Sequence, residues 1–225
     1  MPSLTQLSTV HPRLLVLDAA SSVTQVGMIQ TEGGARWHQE TAEAATALFR
    51  GVETVPTAAN ARLADVDAFI FCEGPGSMLG ARTVAMAIRT WQAIRGRPAY
   101  AYQSLAIAGC CAYRLAPRPL SVIADARRDT WHFQSITADG TPAPLRRMPA
   151  SELPPGERVT PENFKSWAPL PTGVGVCSYD LAKIFPAITA IDLFRHTLAP
   201  DAFRHEAPEY KRWTAEVHSA ANATK

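Results

Sequence analysis

Three short stretches of the sequence carry residue types that could do chemistry. The first is Cys72-Glu73-Gly74-Pro75-Gly76-Ser77, set between an apolar run and a helical pattern. Glycines there let the backbone turn tightly and expose amide N–H groups beside a helix N-terminus, which suits a phosphate. The segment lacks the Gly-Lys-Ser/Thr of a P-loop and does not fit GxGxxG, so it names no nucleotide by itself. A structural turn with Ser77 as helix N-cap explains the same residues. Glu73 would repel an anion unless its carboxylate points away. The second stretch is the end of the run Leu14-Leu-Val-Leu-Asp18. Open sheets present ligands at such strand ends, and a carboxylate there could hold the metal of a nucleotide. Ala19 and Ala20 supply no hydroxyl, which leaves Ser21 and Ser22. An Asp that closes a strand by accepting backbone N–H bonds is equally compatible. Asp18, Gly74, Gly76 and Ser77 therefore form the candidate nucleotide or anion site. The third stretch is Asp125-Ala126-Arg127-Arg128, with Trp131 just beyond. It reads as an ion pair or turn cap, or as a guanidinium fork for a partner's backbone or an anion.

Other chemistries find no support. The histidines, His11, His38, His132, His196, His205 and His218, form no HxxxH or HExxH, so no metal site is expected. GxSxG is absent, and Cys72, Cys110, Cys111 and Cys177 include no CxxC, so neither a hydrolase signature nor a disulfide framework is visible. A net charge of +2 implies no overwhelming positive field, although Arg127/Arg128, Arg146/Arg147 and Lys211/Arg212 are local basic pairs that could meet RNA phosphates. No apolar run approaches the roughly 20 residues that cross a bilayer, and the N-terminus lacks a basic start followed by an apolar stretch. A cytoplasmic location is the expectation. The chain's 225 residues suffice for one large domain or two small ones.

The elements that must position these residues follow from periodicity. Strands are expected at Arg13–Asp18, Val23–Gln30 and Ala35–Glu40, turning at Glu32-Gly33-Gly34. A short helix over Glu40–Val52 and a link with helical potential over Pro56–Leu63 follow, then a strand over Asp65–Cys72. Gly80, Val84, Ala87, Ile88, Trp91 and Ile94 recur at helical spacing across Met78–Arg95. A strand at Pro98–Tyr102 and a helix at Ser104–Leu115 complete an α/β pattern. Pro119–Asp125 and Thr130–Thr137 form the expected hairpin of a second half, into which 11 of the 18 prolines fall, between Pro117 and Pro186. That half reads as a smaller, loop-rich subdomain with short strands at Thr172–Val176 and Ala187–Leu193, then a helix over Glu206–Trp213 and a polar end. Residues 1–12 read as a polar lead with two prolines, and no internal repeat is visible.

In this order the segments resemble the TsaB (YeaZ) family of tRNA threonylcarbamoyladenosine biosynthesis, whose domain is also called Gcp-like or peptidase M22-like. Leu15-Val-Leu-Asp-Ala-Ala-Ser21 matches its opening strand and turn. Gly74-Pro-Gly-Ser-Met-Leu-Gly-Ala-Arg82 matches its Gly-Pro-Gly-Ser-Phe-Thr-Gly-x-Arg segment. Ser104-Leu105, Asp125-Ala-Arg127 and Pro208-Glu-Tyr210-Lys-Arg212 match later motifs. The resemblance implies an α/β, actin and sugar-kinase-like superfold of ribonuclease H-like topology, with an intact first lobe and a reduced second one. The expected division is 1–103 and 104–225, with the C-terminal helix packing back on the first lobe. It also implies a non-catalytic activator of TsaD that works with TsaE, carries no cofactor, and has no hydrolytic residue behind the family's historical glycoprotease label. The sequence departs from the family at Ala19, Ala20 and Glu73. The helix after Ser77 is the expected partner face, through Leu79, Ala81, Ala85, Met86 and Thr90, with help from residues 40–52. Two other readings stand beside this one: an active ATP-dependent phosphotransferase using Asp18 and the Gly74–Ser77 turn, and a homodimeric binding module.

Overall fold

The computed structural model describes residues 1–204. The expected tail helix, with Tyr210 and Arg212, lies outside the described residues. The chain opens with α1 (Leu4–Val10), where the sequence reading gave only a polar lead. A capping box starts this helix: the Ser3 hydroxyl accepts from the Gln6 N–H while the Gln6 side chain accepts from the Ser3 N–H. Leu4 and Leu7 then bury its inner face.

The first sheet is built from β1 (Arg13–Asp18), β2 (Thr24–Gln30), β3 (Gly34–Glu40), β4 (Ala68–Gly74) and β5 (Ala99–Gln103). Between them run α2 (Ala44–Ala58) and α3 (Met78–Ile94). β1, β2 and β3 form an antiparallel meander, and β4 and β5 add in parallel beyond β1, giving the order β3-β2-β1-β4-β5. The helix expected at 40–52 begins and ends later than expected. β3 keeps Glu40, and α2 continues through Pro56 because Val52, Val55 and Pro56 are all buried.

α4 (Ser104–Leu115) leads to the second sheet: β6 (Leu120–Asp125), β7 (Thr130–Ile136), β8 (Arg146–Pro149), β9 (Arg158–Pro161) and β10 (Val174–Cys177). Its order is β8-β7-β6-β9-β10, with β6, β7 and β8 antiparallel and β9 and β10 parallel additions. This repeats β1–β5 of the first sheet strand for strand. The second lobe is reduced in strand length and in helices, and its sheet has five strands where the first has six. Its strands β8, β9 and β10 have four residues each, and a loop over 162–173 stands where the first lobe carries α3. The strand expected at Ala187–Leu193 is replaced by α5 (Leu181–Ala187) and a turn, because Leu181, Ile184 and Phe185 bury one helical face. β11 (Arg195–Thr197) returns to pair with β5 in the first sheet.

Side-chain packing stacks these parts in layers. One face of the first sheet meets α2 and α3 through Leu15, Leu17, Phe69, Phe71, Val84 and Ile88. The other face shares a continuous core with α4, α5 and the inner face of the second sheet. The outer face of the second sheet is closed by its own loops around Trp131 and Phe133. Among the described residues no helix is long and apolar enough to cross a membrane.

Candidate functional site

Asp18 ends β1 and is fully buried. Its Oδ2 accepts from the Tyr102 hydroxyl at 2.6 Å and the Tyr179 hydroxyl at 2.7 Å, and its Oδ1 accepts from the Ala20 N–H at 2.7 Å. Burial pushes the carboxyl above its ordinary value, and the hydrogen bonds from Tyr102, Ala20, Tyr179 and Cys72 offset only part of that. Burial, and then the charge on Asp18, push both phenols well up, so the tyrosines keep their protons and donate. Asp18 therefore does not join the candidate anion site, where the sequence reading had put it. Both oxygens are engaged by protein donors and the side chain is fully buried, so a nucleotide's metal has no open carboxylate to meet there. The sealing tyrosines lie 84 and 161 residues away in sequence, so no local pattern could have revealed them.

The glycine turn is explained by contact with the same strand end. Gly76 has φ 143°, and a Cβ placed on it would lie 2.3 Å from the Ala20 carbonyl oxygen. A Cβ on Gly80 would lie 1.9 Å from the Ala19 oxygen. The turn thus lies against the backbone of Ala19 and Ala20, and the Ser77 N–H donates to the Ala20 carbonyl at 2.7 Å. Ser77 caps α3, its hydroxyl accepting from the Gly80 N–H. Buried Ser104 donates to the Pro75 carbonyl at 2.5 Å, which accounts for a serine at the start of α4. Glu73 points away from the turn and pairs with Arg195 at 2.5 Å, so the repulsion its position implied does not reach the cleft. Gly74 is buried, while Gly76 and Ser77 line the cleft between the lobes.

Across that cleft, Asp125 ends β6, the counterpart of β1. Its Oδ1 accepts from the Arg127 N–H at 2.5 Å. Its Oδ2 accepts from the N–H groups of Trp167 at 2.7 Å and Ala168 at 2.9 Å, and from the Ser166 hydroxyl at 3.3 Å. Partial burial works against its charge, but the N–H groups of Ala168, Arg127 and Trp167 with the Ser166 hydroxyl outweigh it and hold the carboxyl below its ordinary value. Asp125 thereby fastens the 162–173 loop to the β6–β7 turn. That brings Trp167 beneath Arg127, whose Cζ sits 4.2 Å from the ring centroid. Trp167 and its neighbour Lys165 were not singled out by the sequence reading, because they lie in a proline-rich stretch without periodicity.

The expected partner face divides in two. Ala81 and Ala85 are each 2% exposed, so they are covered within the chain and do not face a partner. Leu79 is 71% exposed and Met86 56% exposed, and Thr90 and Arg82 are also exposed. Phe49 of the adjacent α2, 49% exposed, meets the edge of Trp91.

The strand order 3-2-1-4-5 in both lobes, with an acidic residue closing the first strand of each, defines the ribonuclease H-like topology of the actin and sugar-kinase-like superfold. Within that superfold the chain has the fold of YeaZ. YeaZ from Pseudomonas aeruginosa superposes with a TM-score of 0.61 at 21% identity, over 79% of this chain and 90% of that one. A second solved structure, an uncharacterized protein with similarity to peptidase YEAZ from Pseudomonas aeruginosa, gives a TM-score of 0.61 at 21% identity over 78% and 89%. No protein-family model matches the chain, and no curated protein matches it by sequence.

Proposed function

We propose that this chain is a TsaB-type protein, a non-catalytic cytoplasmic partner that activates TsaD, together with TsaE, in threonylcarbamoyl transfer to tRNA. The observation that carries this reading is the outer stripe of α3. Leu79 and Met86 stand one above the other, two turns apart, and Phe49 of α2 is exposed against Trp91 of the same helix. Of the polar residues on the stripe, the Thr83 and Thr90 hydroxyls donate to the Leu79 and Met86 carbonyls, each at 2.9 Å, while Arg82 and Arg89 are exposed. The apolar side chains and internally bonded threonines lose little when desolvated against a partner's helices, and the two long arginines can keep their heads at a solvated rim or meet a partner's acids. The YeaZ fold and the match of Gly74–Arg82 to the family segment support the same reading. Against the phosphotransferase alternative stands the sealing of Asp18 by Tyr102 and Tyr179.

Co-purification with TsaD from the same genome, followed by size-exclusion chromatography, tests it. A stable heteromeric species is expected, and Leu79→Arg or Met86→Arg should abolish it while leaving the melting temperature of the chain nearly unchanged. Independent elution of the two proteins would overturn the partner reading. A self-associated form that TsaD leaves undisturbed would favour the homodimeric module instead.

A further inference from the structure

The mouth of the cleft between the lobes carries a basic and aromatic platform that adjoins the partner face at Leu79. A cavity of about 470 Å3 opens there, with Ser77 and Met78 on one wall and Arg127, Lys165 and Trp167 on the other. The Arg127 guanidinium lies 4.2 Å and the Lys165 ammonium 5.2 Å from the centre of the Trp167 ring. Two like charges drawn to one ring repel each other, and a cation–π contact at an exposed site contributes only about 0.5–1 kcal/mol. Among the described residues neither cation makes an ion pair. The one acid lining the cavity, Asp125, has both oxygens engaged by backbone N–H groups and a hydroxyl. Among the described residues the platform thus carries two cations that no side-chain ion pair neutralises, with Asp125 turned to the backbone N–H groups of its own loops.

Its backbone is held in an unfavourable shape. Arg127, Arg128 and Asp129 have φ of 63°, 52° and 56°, three successive left-handed residues with no glycine among them. Each costs on the order of 1 kcal/mol. The Thr130 hydroxyl donates to the Arg127 carbonyl and Arg147 donates to the Ala126 carbonyl, so the turn is fixed from both ends. Backbone strain maintained around two exposed arginines points to a use for their positions.

The ligand class follows from what the cleft offers. Asp18 is buried beneath Tyr102 and Tyr179, and Asp125 is turned to three N–H groups and a hydroxyl, so the cleft presents cations and an indole where a triphosphate's metal would want a free carboxylate. A half-exposed indole, 53% accessible, flanked by cations suits a stacked base with its phosphate alongside, and the cavity has room for about one nucleoside. We propose that this platform holds one unpaired nucleotide of a single-stranded RNA segment, with phosphates on Arg127 and Lys165 and the base against Trp167. This rests on the tRNA-modification reading above. Lys165, the more distant cation, leaves the ring to the base and follows the phosphate.

Fluorescence anisotropy with a labelled anticodon stem-loop RNA, using the full chain alone and with TsaD, tests the proposal. The double variant Arg127→Gln/Lys165→Gln should bind at least tenfold more weakly. Its dependence of log affinity on log salt should be shallower by about 1.4, since each single-strand phosphate contact contributes roughly 0.7. Trp167→Ala should weaken binding further while Trp167→Phe restores most of it, and Arg36→Gln, on β3, should change nothing. Wild-type affinity in the double variant, or no RNA binding by the wild-type chain in either setting, overturns the proposal. So does displacement of the RNA by sub-millimolar Mg-ATP, which would assign the platform to a free nucleotide. TsaD association followed in the same samples separates the two readings. If it holds while the variants keep their RNA affinity, only the platform fails. If it is absent while the variants lose RNA, the platform stands and the partner reading fails.

Discussion

Asp18 and Asp125 occupy the same place in two copies of one topology, the last residue of the first strand of a 3-2-1-4-5 sheet, yet their surroundings give them opposite character. Asp18 is enclosed by two phenols and one N–H in a fully buried pocket, and its carboxyl is pushed up. Asp125 sits at the cleft with three N–H groups and a hydroxyl, and its carboxyl is held down. Topology supplies an acidic strand end in each lobe; what surrounds the carboxylate decides its use. In the first lobe it is a polar bolt inside the core. In the second it is an anchor that orders a surface loop and the cations above it.

The comparison breaks most sharply at Asp18→Ala. That change strands two buried hydroxyls and one buried N–H, at a cost of about 1–3 kcal/mol each, so a loss of roughly 3–5 kcal/mol is expected by urea denaturation. A loss below about 1 kcal/mol would mean that the tyrosines find other partners and that Asp18 is no bolt. Asp125→Ala should cost less, about 1–2 kcal/mol, because water can reach the N–H groups it releases. Its clearer signature is faster proteolysis within 162–173, and unchanged cleavage there would remove its role as anchor.

The smallest effect concerns pH. The folded-state carboxyl of Asp18 titrates above its unfolded value, so its contribution is fully present below the unfolded value and is lost as pH rises through the folded one. Asp125 has the reverse sign, its contribution being lost as pH falls through its lowered value. Asp18→Asn should therefore gain stability relative to wild type as pH rises from about 4 upward, the unfolded carboxyl titrating near 3.9. Parallel stability curves for the two proteins would contradict the raised value.

Much of the first lobe was legible in the sequence, because its strands are long apolar runs and α3 carries a clear helical period behind a capping serine. The second sheet was legible only in part: the β6–β7 hairpin and β10 stand where the sequence puts strands, while β8 and β9 leave no such mark. Strands of four residues among prolines leave no alternation to count, so neither the repeat of the strand order nor the helix at Leu181–Ala187 could be read. α1 is a different case, since Ser3 and Gln6 are an ordinary capping signal hidden by the polar residues around them. On α3 the sequence marked small and large residues alike as surface, whereas packing inside the chain took Ala81 and Ala85 and left Leu79 and Met86 outside. Asp125 and Arg127 were visible as a motif, but their association with Trp167 depends on a contact across 42 residues.

α4 lies between the two sheets with eight of its twelve residues buried, and a Cβ on its Gly109 would come within 2.6 Å of Ile136 and 2.8 Å of Val122. Both lobes therefore depend on one wall. An evolving lineage could not exchange either half for that of a cousin, or let one drift, without renegotiating the helix that both halves inherit in common.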